Sequence, residues 1–334
     1  MTPDCGKTSV FHAKKGLMLA GEMESQQPVS TTLQAKFDSG QCSSESSSSA
    51  PKEETGAAGE GLKFGQISMM GRRRVMEDAV SVAPPWKVGG AYAFFAVYDG
   101  HGGCMAAEIC GERLHKCVDE NVEKEKKSPE DKSFNWEKVM VECFRSMDEV
   151  VAKDKGGDGN VVEEGGSSVS ETTVGSTALV VLVGADEVVV ANCGDSRAVL
   201  CSGGVPVPLS SDHKPDRPDE KERIEAARGN IINWNWLASR RSNHYLKPYV
   251  IPDPEVTIYK RKESDDFLIL ATDGLWDVVS NEIACEIVRR CLNDQITRPL
   301  PGESGADEAA SMLAELAIAK GSKDNISIIV VQLD

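Results

Sequence analysis

The chain has 334 residues and a formal net charge of −16, with 27% charged and 40% hydrophobic residues. An acidic surface repels phosphate backbones, which argues against general nucleic-acid binding and means that any phosphate chemistry needs positive charge supplied locally. None of the ten cysteines forms a C-x-x-C pair or joins histidine at zinc-finger spacing, so reduced, mostly buried thiols are expected. The opening MTPDCGKTSVFHAKKGLMLAGE lacks the apolar stretch of a secretory signal. The longest apolar runs, such as Tyr92 to Tyr98 and Ala178 to Val183, are of strand length and too short to span a bilayer. A soluble, intracellular protein is expected.

Residues 1–60 are rich in Ser, Gln, Gly, Glu and Lys and include the run QCSSESSSSAPKEETGAAGEG. Such a segment buries too little to offset the entropy of ordering, so it reads as a disordered tail. Residues 61–334 read as one domain. Short runs rich in Val, Ile, Phe and Tyr predict strands at Phe64 to Met69, Ala91 to Tyr98, Ser176 to Val183, Glu187 to Ala191 and Ala198 to Cys201. Glu255 to Lys260, Phe267 to Ala271 and Ile326 to Leu333 follow the same pattern. Helices are expected at Gly103 to Asn121 and from Asn135 to Ala152, where Val139, Cys143, Phe144 and Met147 form an apolar stripe. Further helices are expected at Pro218 to Ala227, Asn281 to Leu292 and Ala306 to Lys320. Lys153 to Val174 reads as an exposed Gly/Ser/acidic loop. Strands and helices do not alternate strictly, so an α+β architecture of packed sheets with helices outside is favoured over a doubly wound one.

Acidic residues recur at predicted strand edges. Glu77 and Asp78 lie in GRRRVMEDAV, Asp99 and Gly100 in YDGHGG, Asp195 in ANCGDSRAVL, Asp273 in TDGLWDVV and Asp324 in KDNISIIVV. A single Asp-Gly after a strand is a common turn. Several in one chain suggest clustered carboxylates, which repel one another unless a cation or proton lies between them. Oxygen ligands suit hard divalent ions, so Mg2+ or Mn2+ fits and a Cys/His zinc site does not.

The ordered set GRRRVMEDA, YDGHGG, GSTA, NCGDSRA, SDHKPDRPDE, RIEAARG, YLKPYVIPDPEV, DGLWDV and KDNIS resembles the type 2C, or PPM, protein phosphatases over about Gly61 to Asp334. The resemblance implies a central antiparallel β-sandwich flanked by pairs of helices. It implies hydrolysis of phosphoserine and phosphothreonine in proteins by a water bridging two Mg2+ or Mn2+ ions. Asp99, Asp273 and Asp324 then match the metal-holding carboxylates, and Gly100 the carbonyl ligand. Glu77 and Asp78 match residues that bind metal-held waters, and Asp195 a position linked to a weaker third ion. Arg73 matches the arginine that grips the substrate phosphate, and His101 a general acid for the leaving oxygen. Cys104 carries no mark of a thiolate.

The chain departs from the family pattern at 231–244, within IINWNWLASRRSNHYLKP. About eight residues of a strand-forming stretch are missing, and Ser242, Asn243 and His244 replace a Gly-Asp. A locally loosened fold with reduced or absent activity is expected. The retained carboxylates imply an active enzyme. The shortened stretch implies instead a phosphatase-like module that holds kinases or a receptor. Trp234, the Ser-rich head and the spellings GRRRVMEDAV and YLKPYVIPDPEV resemble the plant clade of abscisic-acid co-receptors. That likeness implies negative regulation of kinase signalling, phosphorylated kinases as partners and receptor docking through Trp234. A monomer in the nucleus and cytoplasm, away from nucleic acid and membrane, is expected.

Overall fold

Six strands of this chain bury apolar residues on both faces, which demands a layer above and below each sheet. The computed structural model describes residues 62–127, 134–154, 174–228, 249–293 and 304–333. The expected tail at 1–60, most of the Gly/Ser loop, the stretch 231–244 and Trp234 lie outside the described residues.

The strands are β1 (Phe64–Met69), β2 (Ala79–Val88), β3 (Tyr92–Tyr98), β4 (Gly100–His101), β5 (Gly175–Ser176) and β6 (Ala178–Val183). They continue as β7 (Glu187–Cys193), β8 (Arg197–Ser202), β9 (Val205–Pro208), β10 (Glu255–Lys260), β11 (Asp265–Ala271) and β12 (Ile326–Gln332). The helices are α1 (Met105–Lys126), α2 (Trp136–Asp154), α3 (Pro218–Ala226), α4 (Asp273–Trp276), α5 (Asn281–Leu292) and α6 (Gly305–Ala319). Two five-stranded antiparallel sheets result, in the orders β1-β12-β11-β8-β9 and β10-β7-β6-β3-β2. The short strands β4 and β5 pair separately.

Alternation along each strand assigns its two faces. Phe95, Val97, Leu179, Val181, Val188 and Val190 of one sheet meet Leu200, Leu268, Leu270, Ile329 and Val331 of the other. The opposite faces bury against helices. Phe94, Ala96 and Val180 pack with Leu114 and Val118 of α1 and Met140 of α2. Val199, Ile269 and Ile328 pack with Val288 of α5 and Leu313 of α6. This is the expected sandwich with paired helices outside.

Helices α5 and α6 start where side chains satisfy their free amides. Ser280 accepts from the Ile283 amide at 3.4 Å ahead of α5. Ser304 and Asp307 form a reciprocal capping box ahead of α6, at 3.2 and 3.1 Å. Among the described residues, no helix is long and apolar enough to cross a membrane.

Some elements differ from expectation. Strands β2 and β9 fall where prolines interrupt the run, and both are edge strands, which tolerate the missing donor. The strand expected at Ser176 to Val183 is divided at Thr177, because Ser176 pairs with Gly100 while Ala178 pairs with Cys193. Asp273 does not end a strand but opens the single turn α4.

Leu270 is fully buried in the layer between the sheets. Leu270→Ala is expected to lower the unfolding free energy by about 3 kcal/mol, read as an earlier midpoint in urea denaturation.

Candidate metal centre

The strand registers bring one end of both sheets together. There, Asp99 follows β3, Asp195 follows β7, Asp273 follows β11, and Asp78 and Asp324 precede β2 and β12. Carboxylate oxygens of Asp99, Asp195 and Asp273 lie within 4.8 Å of one another. Two of these residues come from the sequence's Asp-Gly motifs and one from Gly-Asp-Ser, so three separate turns converge.

The surrounding hydrogen bonds fix each turn. The Asp99 amide donates to Thr177 Oγ1 at 3.0 Å, and the Thr177 amide donates to the Asp99 carbonyl at 2.9 Å. Asp78 accepts from Thr272 Oγ1 at 2.9 Å, and Thr272 Oγ1 in turn accepts from the Ser327 amide at 3.1 Å. Glu77 Oε1 accepts from the Gly103 amide at 2.7 Å. Gly100 is buried, and a Cβ there would run into the Glu77 carbonyl, so the two motifs touch through backbone. A Cβ on Gly274 would likewise strike the Asn325 carbonyl, which is why an Asp-Gly pair suits the turn into α4.

Arg73 forms an ion pair with Asp324. Burial pulls the guanidinium pKa down, but the Asp324 hydrogen bond and charge outweigh it and hold the pKa above its ordinary value. Asp324 is thereby tied to the arginine loop rather than to the group of three. His101 pairs with Gly175 through β4 and β5, and its side chain lines a cavity of about 700 Å3 that also reaches Asp195. Cys104 has its thiol pKa raised, first by Glu108, in keeping with the expectation that it is no thiolate.

Sequence reasoning singled out the carboxylates but not the residues that hold them. Asn325 is the clearest case. Its Nδ2 donates to the carbonyls of Met70 and Val75 at 2.9 and 3.1 Å, while its Oδ1 accepts from the Glu77 amide at 2.8 Å. One buried amide therefore closes the loop that carries Arg73, Glu77 and Asp78. It stands directly after Asp324 in KDNIS, and Thr272 stands directly before Asp273, so adjacency to the acidic motif was the available signal.

Electrostatics show what the site lacks. Burial first, then the charges of Asp273, Asp78, Asp195 and Asp324, push the Asp99 pKa well above the usual carboxylate range. Burial, then Asp195, Asp277 and Asp324, push Asp273 up to about 8. Burial raises Asp78 to about 6 against the opposing Thr272 and Ser327 hydrogen bonds. Asp195 is also raised by burial, with Lys214 opposing. Asp273 Oδ1 is buried without a hydrogen-bond partner among the described residues. Carboxylate oxygens this close, repelling and partly unpartnered, fit a hard divalent cation.

A family model for protein phosphatase 2C matches residues 62–326. The chain belongs to the protein phosphatase 2C family. Phosphatases of this family remove phosphate from serine and threonine in proteins with divalent metals. The chain is 47% identical to "Probable protein phosphatase 2C 8" of Oryza sativa subsp. japonica, over 89% of this chain and 81% of that protein. It is 43% identical to "Protein phosphatase 2C 37" of Arabidopsis thaliana, over 81% of this chain and 72% of that protein. Among solved structures, a serine-threonine phosphatase 2C from Toxoplasma gondii has the same fold, with a TM-score of 0.64 and 22% identity, over 81% of this chain and 95% of that one. The catalytic domain of the serine threonine protein phosphatase PstP, solved with two manganese ions, matches with a TM-score of 0.53 and 19% identity, over 81% of this chain and 98% of that one.

Two outcomes follow for the site. Asp273 and Asp78 have folded pKa values above their unfolded ones, so between those values the metal-free folded chain holds more protons than the unfolded chain. Stability without metal is therefore present at about pH 4 and is lost as pH rises toward 8. Thermal melts in EDTA should show that decline, and Mn2+ should raise the melting temperature more at pH 8 than at pH 5. Asn325→Ala should lower kcat/KM by roughly 10- to 100-fold, through loss of positioning of Arg73, while metal remains bound.

Proposed function

We propose that this chain is an active Mg2+- or Mn2+-dependent protein phosphatase that hydrolyses phosphoserine and phosphothreonine. The observation that carries this reading is the approach of Asp99, Asp195 and Asp273 to within 4.8 Å of one another. Asp99, Asp273, Asp324 and the Gly100 carbonyl would hold two ions, with Glu77 and Asp78 toward their waters and Asp195 toward a weaker third. Bound there, the ions supply Lewis-acid charge and bring the pKa of water toward neutrality. The rest is the work of side chains. Arg73 presents a fork suited to two phosphate oxygens, and a dianionic phosphate competes with the Asp324 carboxylate for it. His101 supplies a proton to the serine or threonine oxygen as it leaves, since an alkoxide leaves poorly.

The substrates we infer are phosphorylated protein kinases of abscisic-acid signalling, which the enzyme would restrain in the nucleus and cytoplasm as a monomer. The spellings GRRRVMEDAV and YLKPYVIPDPEV support that reading. Trp234 would dock the hormone receptor. The shortened stretch at 231–244 favours a second reading, a catalytically impaired module that captures kinase or receptor without turnover.

Phosphate release from a phosphothreonine peptide separates the two. The first reading expects Mn2+-dependent release that EDTA abolishes and that Asp99→Ala reduces by at least about a hundredfold. Absence of release from a folded, metal-loaded chain, with partner capture intact in Asp99→Ala, would establish the second.

A further inference from the structure

Helices α1 and α2 meet where each carries a cysteine. Cys117 on α1 is partly exposed and Cys143 on α2 is buried. The Cys143 sulfur lies 3.4 Å from the Cys117 carbonyl oxygen, and the Cys117 sulfur lies 4.0 Å from the Cys143 carbonyl oxygen. This reciprocal contact sets each sulfur against the other residue's backbone carbonyl, so the two side chains share one small space between the helices. A third side chain joins them. The Asn121 amide nitrogen lies 3.5 Å from the Cys117 sulfur and 3.4 Å from the Cys143 sulfur, and donates to the Cys117 carbonyl at 2.8 Å. The pair stands on the order of 18 Å along α1 from its first residue, clear of the carboxylate turns.

We propose that Cys117 and Cys143 form a reversible intrachain disulfide when the folded chain meets a hydroperoxide. The Cys117 thiolate attacks the terminal peroxide oxygen, the O–O bond breaks, and the alcohol or water leaves with a proton, giving a sulfenic acid at Cys117. The Cys143 sulfur then attacks the Cys117 sulfur. The S–S bond forms, the S–O bond breaks, and the hydroxyl departs as water with the Cys143 proton. Two thiols are oxidised and one peroxide is reduced.

The surroundings select this thiol for attack. Hydrogen bonding from Cys143 lowers the Cys117 pKa, helped by Lys124 and Asn121 against burial and Glu120. Every other described cysteine is shifted the opposite way. Burial pushes Cys110, Cys193 and Cys285 up to about 12. Cys117 is also the partly exposed member, so the oxidant reaches it first and the buried partner resolves it.

The test is limited hydrogen peroxide treatment of the full chain with Mn2+, alkylation of remaining thiols and tryptic mapping. The expected product joins the peptide that begins at Cys117 to the peptide that contains Cys143, and dithiothreitol separates them. The link closes a loop over a sequence separation of 26, so the oxidised protein should melt roughly 5 °C higher than the reduced one. Cys143→Ser should abolish the linked peptide and leave Cys117 open to a sulfenic-acid trap such as dimedone. The wild-type map stands even if that variant does not fold. The proposal is overturned if Cys117 and Cys143 both remain alkylatable while another cysteine is consumed. Overoxidation of Cys117 in the wild type with Cys143 still free would overturn it as well.

Discussion

The mutual repulsion of Asp99, Asp195 and Asp273 is the constraint to which the rest of the structure answers. Three carboxylates within 4.8 Å of one another would move apart in a loose chain. They are held because each turn is anchored to a strand whose neighbours are fully buried. Phe95 and Val97 fix the approach to Asp99, Val188 and Val190 that to Asp195, and Leu268 and Leu270 that to Asp273. The sandwich core thus stabilises an arrangement that is unfavourable by itself, and a divalent cation relieves it.

Positive charge around the site is placed sparingly. The chain carries a net charge of −16, yet Arg73 reaches the carboxylate end through its pair with Asp324. Lys214 is committed to Asp277 at 3.1 Å. Arg197 is committed to Asp212 through two hydrogen bonds at 2.9 and 2.7 Å, and its guanidinium lies 5.3 Å from the Trp276 ring. Of these three cations, Arg73 is the one whose partner is itself an expected metal ligand. On the proposed roles, metal and phosphate binding would be coupled through Asp324, since each would take up one half of that ion pair.

Much of the fold was legible in the sequence because strands read as short runs rich in β-branched and aromatic residues and helices as apolar stripes. Phe64–Met69, Glu255–Lys260 and Asn281–Leu292 appear with the boundaries that pattern predicts. Strands β2 and β9 were not legible, because proline reads as a strand breaker until edge position excuses it. The division of the Ser176 to Val183 run at Thr177 depends on a tertiary bond, from the Asp99 amide to Thr177 Oγ1. In the site, acidic motifs pointed to the carboxylates. Periodicity carries no signal for Asn325 or Thr272, whose roles arise only when turns from distant parts of the chain meet.

The central claim is that these carboxylates form a site for divalent ions. Equilibrium dialysis of the full chain against Mn2+ tests it most directly, with Asp99→Ala and Asp273→Ala beside it. The account predicts binding of two ions by the wild-type chain and loss of at least one in each variant. A folded wild-type chain that binds no Mn2+, or variants that bind as the wild type does, would contradict it.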